Sequence, residues 1–363
     1  MKVATVVGAR PQFVKAAVVS HELRRKNKEV LIHTGQHYDR NMSETFFEEL
    51  NIPLPDYNLG VSGGTHAEMT GRMMIGIEKV LIEEKPDWLL IYGDTNSTLA
   101  AALAAAKLHI KICHVEAGLR THSRTNPEEI NRICTDHISE MLLTSTEVGL
   151  DNLEKEGLVA KSQFVGDPMY DAFVEYSEKM LLGEVELDLL KGGKASVPSE
   201  YYYLTCHREE NTNIEGALFE IFSAMNGLDV PSVYPVHPRN KARALKLQEQ
   251  WGFDNIILCE PVGYLESMAL VRNSKKIVTD SGGLQREAFF AGKKCVTVLD
   301  FEVWPETMVG KRNELAKPLA EDIITKLNTP QEVDNGYQPF GDGHSAVKIV
   351  KALEAPKSLN GIL

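Results

Sequence analysis

The spacing of the apolar runs constrains this chain most. Short stretches of about 4–8 apolar residues recur throughout, each followed by a polar loop and then by a helical period. Val3–Val7, Val30–Thr34, Trp88–Tyr92 and Ile110–Val115 read as buried strands of the first half. Tyr201–Cys206, Ser232–Val236, Ile256–Leu258, Lys276–Thr279 and Cys295–Leu299 read the same way in the second. Strands that are apolar on both faces need cover on both, so the pattern predicts parallel sheets flanked by helices in an α/β protein. Asn96–Lys107 (NSTLAAALAAAK) is the clearest helix, opening on a polar residue and continuing through alanines. With 363 residues the chain exceeds the ~250–300 at which a single core stops growing, so two α/β domains are expected. The turn-rich stretch Asp188–Glu200 (DLLKGGKASVPSE) reads as an exposed connection.

Charge and composition exclude several classes of function. Lys and Arg number 39 against 51 Asp and Glu, a net charge of −12, which argues against a nucleic-acid partner. It leaves room for one anionic ligand in a local basic cleft. No apolar run approaches the ~18 residues that cross a bilayer, and the opening MKVATVVGARPQF reads as a strand, so a cytoplasmic protein without a membrane partner is expected. Cys113, Cys134, Cys206, Cys259 and Cys295 form no Cys-x-x-Cys pair and read mostly as buried thiols, which speaks against a disulfide framework or a metal site.

Chemistry collects where the expected strands end. The first runs into Gly8-Ala9-Arg10-Pro11-Gln12 with Lys15 a turn later. Proline at a helix start, with two cations beside it, suits an anion facing the helix N-terminus. Tyr92-Gly93-Asp94-Thr95-Asn96 and His114-Val115-Glu116-Ala117-Gly118-Leu119-Arg120 place carboxylates at neighbouring strand ends, where an acid and a base could work together. Asp94 could equally be a helix cap, while Glu116 lies close enough in sequence to Arg120 to be tuned by it. In Asn126-Pro127-Glu128-Glu129-Ile130-Asn131-Arg132, Glu128 and Arg132 stand four apart on one helix face. That spacing fits either a surface ion pair or a substrate-facing carboxylate oriented by the arginine.

In the second half, Cys206-His207-Arg208-Glu209-Glu210-Asn211 and Val236-His237-Pro238-Arg239 put histidines beside arginines, which suits an anion better than a metal. Thr279-Asp280-Ser281-Gly282-Gly283-Leu284-Gln285-Arg286-Glu287 carries a buried strand into glycines and then a helix. Ser281, Gly282 and Gly283 would present backbone amides to a diphosphate, with Glu287 placed for ribose hydroxyls. Together these residues describe an anionic nucleotide on one domain and a hydroxyl-rich group among carboxylates on the other, as a nucleotide sugar would require.

Through GARPQFVK, HTGQH, YGDTNST, HVEAGLR, PEEINR, CHREEN, YPVHP and DSGGLQREA, in that order, the chain resembles the non-hydrolysing UDP-N-acetylglucosamine 2-epimerases over essentially its whole length. The resemblance implies two facing Rossmann-like domains in the glycosyltransferase B architecture, 1–168 and 169–344, with the active site in the cleft between them. It further implies a helix at 345–363 that packs back on the first domain after Phe340-Gly341-Asp342-Gly343, and a homodimer. The implied reaction is anti elimination of UDP across carbons 1 and 2 of the sugar and re-addition after the proton returns to the opposite face, without a nicotinamide cofactor or a metal. Position by position, the resemblance makes Asp94, Glu116, Glu128 and His207 the catalytic residues. Arg10, Lys15, Arg132 and His237 would hold substrate and diphosphate, and Ser281, Gly282, Gly283 and Glu287 would hold UDP. Gln36 and His37 match part of a second, activating UDP-sugar site found in some members, or a strand-end loop that only packs.

Two departures bear on the substrate. The family's usual Gly-Thr-Arg-Pro-Glu is here Gly8-Ala9-Arg10-Pro11-Gln12, and its Arg-Asp-Thr-Thr-Glu-Arg-Pro-Glu is Leu299-Asp300-Phe301-Glu302-Val303-Trp304-Pro305-Glu306. Both arginines of that run are absent, so their service to the diphosphate falls to Arg208, Arg239 or Arg286, or is done differently. The opening motif, the NMSETFF stretch and Trp304 resemble a branch acting on UDP-2,3-diacetamido-2,3-dideoxy-D-glucuronate, and a glutamine at 12 would suit a substrate carrying its own carboxylate. UDP-N-acetylglucosamine stands equally as substrate, and surface polysaccharide synthesis as the purpose. A glycosyltransferase of the same architecture, a hydrolysing epimerase and a nucleotide-sugar sensor are the rivals.

Overall fold

The computed structural model describes residues 1–36, 47–123, 126–213, 216–334 and 336–356. Its contacts divide the chain into two units, Met1–Val174 joined by the chain from Gln338 onward, and Glu175–Tyr337.

The first unit is built on β1 (Lys2–Val7), β2 (Lys28–His33), β3 (Tyr57–Asn58), β4 (Trp88–Tyr92), β5 (Lys111–Val115), β6 (Met141–Thr144) and β7 (Ser162–Phe164). They run parallel in the order β3-β2-β1-β4-β5-β6-β7. The order reverses at β1 and β4, so the loops after those strands diverge and open a crevice at their carboxyl ends. Every residue of β4 is buried, as cover on both faces demands. On one face the alanines of helix Asn96–Lys107 let it pack tightly with Met73, Ile77 and Leu81 of helix His66–Glu84 and with the strand residues Ala4, Val6, Leu89 and Ile91. Thr95, not Asp94, is the N-cap of that helix, its hydroxyl accepting from the Thr98 amide. Asp94 is thereby released from a capping role.

The C-terminal helix Ser345–Glu354 belongs to this unit. Asp171 caps it, its carboxylate accepting from the amides of Ser345 (3.0 Å) and Ala346 (2.8 Å), and it packs on helix Arg10–Leu23. Residues 357–363 of the expected 345–363 helix lie outside the described residues.

The second unit holds β8 (Glu186–Asp188), β9 (Lys194–Ser196), β10 (Tyr202–Thr205), β11 (Ser232–Pro235), β12 (Ile256–Cys259), β13 (Ile277–Thr279), β14 (Cys295–Val298) and β15 (Asn313–Ala316). The parallel order β12-β11-β10-β13-β14-β15 repeats the reversal of the first unit, and both units are Rossmann-like. Tyr202, Leu204, Phe222, Tyr234, Phe253, Val278 and Val296 share its core.

Asp188–Glu200 is exposed or half-buried throughout, as its turn residues predict, but it is not a bare connection. β8 and β9 form an antiparallel hairpin whose turn is closed by Leu189 N–H to Gly193 O (2.9 Å), with Gly192 and Gly193 at φ +89° and +86°. The glycines supply left-handed backbone that other residues adopt only with strain. Leu187 is fully buried, and Leu190 N–H and Asp188 O bond Leu258 O and Glu260 N–H, so the hairpin is fastened to the β12 edge.

Candidate active site

The carboxyl ends of β1, β4 and β5 gather the first unit's polar residues. Gln12 sits under the first loop, buried. Its amide oxygen accepts from Gly8 N (2.8 Å) and Ala9 N (3.0 Å), and its amide nitrogen donates to Tyr92 O (2.8 Å), Thr98 Oγ1 (3.0 Å) and Thr95 Oγ1 (3.1 Å). Gln12 thereby occupies the Gly8 and Ala9 donors, which precede the helix that begins at Arg10. These bonds give Gln12 a structural role beside the reading of it as making room for a substrate carboxylate. The Gln12 amide nitrogen faces the Tyr92 carbonyl, which can only accept and also takes the Thr98 hydroxyl (2.8 Å). Arg10, half-buried at the head of helix Arg10–Leu23, remains at the strand end.

Glu116 is held in a strained backbone conformation. It has φ +69°, a region costly by about 1–3 kcal/mol for a residue with a side chain and typical of functional sites. Its amide and that of Ala117 both donate to Leu143 O (3.0 and 3.2 Å), and its buried carboxylate takes the Lys15 ammonium at 2.6 Å. Gly93 sits in the left-handed region that favours glycine. At φ +62°, a Cβ there would sit 3.3 Å from Glu116 Oε1 and 3.7 Å from Lys15 Nζ.

Arg120, expected to tune Glu116, points elsewhere. It pairs with Asp136 (2.8 Å) and clasps Glu156 through two bonds of 2.7 Å, because Asp136 and Glu156 offer it carboxylates while Lys15 already occupies Glu116. Asp136 also binds His114 Nδ1 (2.7 Å) and Gly118 N (3.1 Å). Burial alone would raise its pKa; the His114 bond and the Arg120 charge outweigh that and hold it below the ordinary carboxylate range.

Asp94 is about a quarter exposed and paired with Arg132, whose other arm meets Glu129 Oε2 at 2.7 Å. The expected Glu128–Arg132 pair is therefore replaced by Glu129–Arg132. Glu129 is drawn inward by Thr121 N (2.9 Å), Thr121 Oγ1 (3.0 Å) and His122 N (2.9 Å). Those bonds and Arg132 lower its pKa against the opposing effect of burial. Glu128 stays exposed on the first helical turn, and Asn131 fixes the Asp94 loop by donating to Asp94 O (2.9 Å). Gln36 accepts from Ser97 Oγ (2.7 Å) and Ser97 N (3.2 Å), a packing contact; His37 and most of NMSETFF lie outside the described residues.

In the second unit the end of β13 organises the site. Asp280 is buried and accepts from His207 N (2.9 Å), Arg208 N (2.9 Å), Asn211 Nδ2 (3.3 Å) and His207 Nδ1 (3.1 Å). Burial opposes its ionisation, but the His207 and Arg208 contacts prevail and bring its pKa down to about 2. The carboxylate thus fixes His207 with Nδ1–H turned inward, the arrangement that leaves Nε2 to exchange protons. His237 stacks on His207 at 6.2 Å.

Ser281 caps helix Gly282–Phe290 by accepting from Leu284 N (3.4 Å), and its own amide donates to Thr279 Oγ1 (3.0 Å). The Gly282 and Gly283 amides are the first-turn donors that no intrahelical acceptor can reach, so the cradle is narrower than the expected Ser281–Gly283. Glu287 is buried beside Tyr264; burial first, and then this carboxylate, push the phenol's pKa well up. Of the arginines expected to replace those missing at 299–306, Arg208 lies at the cradle, donating from Nε to Asp280 O (2.9 Å) with its guanidinium 5.4 Å over Phe301. Arg286 is buried 4.1 Å over Trp304, and Arg239 is exposed, 3.6 Å from Glu209.

Asp280, Asp136, His114 and Glu129 were not singled out from the sequence. Asp280 had a usable signal: like Asp94 and Glu116, it ends a buried strand next to a glycine loop. Asp136 had none, since an acid inside an amphipathic helix reads as surface.

Two Rossmann-like sheets, one ending in ion-paired carboxylates and the other in a histidine and a serine-capped helix that opens on two glycines, fit a nucleotide-sugar enzyme. The family model for UDP-N-acetylglucosamine 2-epimerase matches residues 21–354. A Methanococcus maripaludis UDP-N-acetylglucosamine 2-epimerase homolog is 46% identical over 97% of this chain and 99% of its own. The UDP-2,3-diacetamido-2,3-dideoxy-D-glucuronate 2-epimerase of Pseudomonas aeruginosa is 42% identical over the same shares. The crystal structure of Methanocaldococcus jannaschii UDP-GlcNAc 2-epimerase in complex with UDP-GlcNAc and UDP superposes with a TM-score of 0.87 at 39% identity, covering 98% of this chain and 99% of that one. This chain belongs to the UDP-N-acetylglucosamine 2-epimerase family.

Proposed function

We propose that this chain inverts carbon 2 of a UDP-2-acetamido sugar without releasing the sugar. The observation that carries the reading is the strained, buried Glu116 held 2.6 Å from Lys15 at the strand end beside Asp94. A base removes the carbon-2 proton while the carbon 1–oxygen bond to UDP breaks, leaving a carbon 1–carbon 2 double bond. A second group returns a proton to the opposite face as UDP oxygen re-forms the bond to carbon 1. Two proton-transfer groups are therefore needed. Glu116, whose carboxylate form Lys15 favours, Asp94 and the exposed Glu128 supply the first unit's candidates. His207, oriented by Asp280, supplies the second unit's, beside the Gly282 and Gly283 amides and Arg208 for the diphosphate and Glu287 for the ribose.

The substrate is UDP-N-acetylglucosamine or UDP-2,3-diacetamido-2,3-dideoxy-D-glucuronate. The name of the Pseudomonas relative supports the second. A role in surface polysaccharide synthesis, a homodimer and a cytoplasmic location belong to the same reading and rest on the family alone; light scattering at micromolar concentration tests the dimer. Chromatography of parallel reactions with each sugar nucleotide tests the function. The expected product is the manno epimer with UDP still attached. Free UDP with free sugar would mean hydrolysis, and UDP released only with an acceptor would mean a transferase. A preference for UDP-N-acetylglucosamine of about twentyfold, ~1.8 kcal/mol, would remove the glucuronate substrate.

A further inference from the structure

Two histidines lean on buried aspartates, and they differ in what the other ring nitrogen meets. His207 is 42% exposed, while His114 is wholly enclosed. His114 Nδ1 lies 2.7 Å from Asp136 Oδ1 and its Nε2 lies 2.7 Å from Gly93 O. A carboxylate and a carbonyl oxygen can only accept, so each contact needs a proton on its nitrogen. A neutral ring would press one nitrogen lone pair against an oxygen inside the protein, at a desolvation cost with no bond in return.

The surroundings balance a cation there. Asp136 faces the ring from helix Pro127–Ile138, and Arg120, from the loop after β5, shares that carboxylate and is itself neutralised by Glu156. His137 meets Glu156 at 3.3 Å, Lys161 donates to Asp136 O (3.0 Å), and the Lys15–Glu116 pair lies across Gly93. The bonds also reach both catalytic loops. Gly93 O belongs to the peptide that continues into Asp94, and Asp136 holds Gly118 N, two residues beyond Glu116.

We propose that His114 is a buried imidazolium at neutral pH and the positioning residue that locks the Asp94 and Glu116 loops to one another. Its catalytic consequence rests on the 2-epimerase reading; its charge does not. Full-length protein labelled with nitrogen-15 histidine, examined by two-bond proton–nitrogen correlation at neutral pH, reads the charge directly, with His114→Gln identifying the signal. Both nitrogens are expected in the protonated range, and one unprotonated nitrogen overturns the imidazolium.

Kinetics read the positioning. His114→Asn keeps a donor toward Asp136 and gives up the Gly93 carbonyl, and displacement of a reacting group by about 1 Å costs up to ~100-fold. The expected loss is at least about tenfold in kcat for solvent deuterium incorporation, with KM unchanged and partial recovery in His114→Gln, whose longer amide reaches Gly93. Wild-type kcat in both folded variants, or a loss confined to KM, overturns the positioning role. Absence of exchange in the wild type with either sugar nucleotide would strike the epimerase reading instead, and the nitrogen spectrum would still decide the charge.

Discussion

Lys15 and Glu116 show why single residues at this site cannot be exchanged one at a time. Removing one member of a buried pair leaves an uncompensated charge, so Lys15→Met should destabilise the fold by about 3–5 kcal/mol. Lys15→Met with Glu116→Gln should recover much of that loss; denaturant midpoints compare them, and equal stability of the single and double variants would show that the pair is not coupled. Gln12 makes the complementary point. Gln12→Glu exchanges the nitrogen facing Tyr92 O for an oxygen and sets a carboxylate against a carbonyl that keeps only the Thr98 hydroxyl as donor, at a cost of about 1–3 kcal/mol. Its expected effect is lower stability at an unchanged ratio of rates on the two sugar nucleotides. A shifted ratio at unchanged stability would favour the substrate explanation instead. The carboxylates at strand ends were legible in the sequence because an acid next to glycine after an apolar run has few structural uses. Their partners were not: Arg120 and Arg132 each had several acids within reach, and only the fold selects Asp136 and Glu156 for one and Asp94 and Glu129 for the other.

Among elements, the long buried strands β1, β4 and β5 and the alanine-rich helix could be read from hydrophobic period alone. β3 (YN), β7 (SQF) and β15 (NELA) lack an apolar run to mark them, unlike β12 and β13, which are about as short, and β6 (MLLT) offers only three apolar residues. The β8–β9 hairpin was misread as a linker because its Gly192-Gly193 turn looks the same in either setting, and only Leu187 entering the core distinguishes them. The C-terminal helix depends on a cap contributed from far along the chain. Asp171→Ala removes the acceptor for Ser345 N and Ala346 N, so a loss of about 1 kcal/mol is expected. Hydrogen exchange should quicken first in Ser345–Glu354 while the sheet of the second unit stays protected. Uniform acceleration across the chain would mean that the helix has no independent stability.

For the whole molecule, each unit carries a buried aspartate that fixes a histidine, and each repeats the same strand-order reversal. Asp280 ties stability to pH. Its pKa falls from 3.8 to about 2 on folding, so its contribution is full above 3.8 and is lost as pH falls through about 2. Denaturant unfolding between pH 5 and pH 2 should show this fall, and Asp280→Asn should flatten it; an unchanged slope would contradict the account of how His207 is held.

The central claim is that paired carboxylates and an aspartate-oriented histidine exchange the carbon-2 proton of a UDP-bound sugar. A proton NMR time course in deuterium oxide, with the two sugar nucleotides in parallel, tests it most directly. The account predicts loss of the carbon-2 proton signal, a new manno anomeric signal and UDP retained, with Asp94→Asn slowing exchange by about 100-fold or more. A carbon-2 proton that persists in both tubes, with active folded enzyme confirmed by UDP binding, would contradict it.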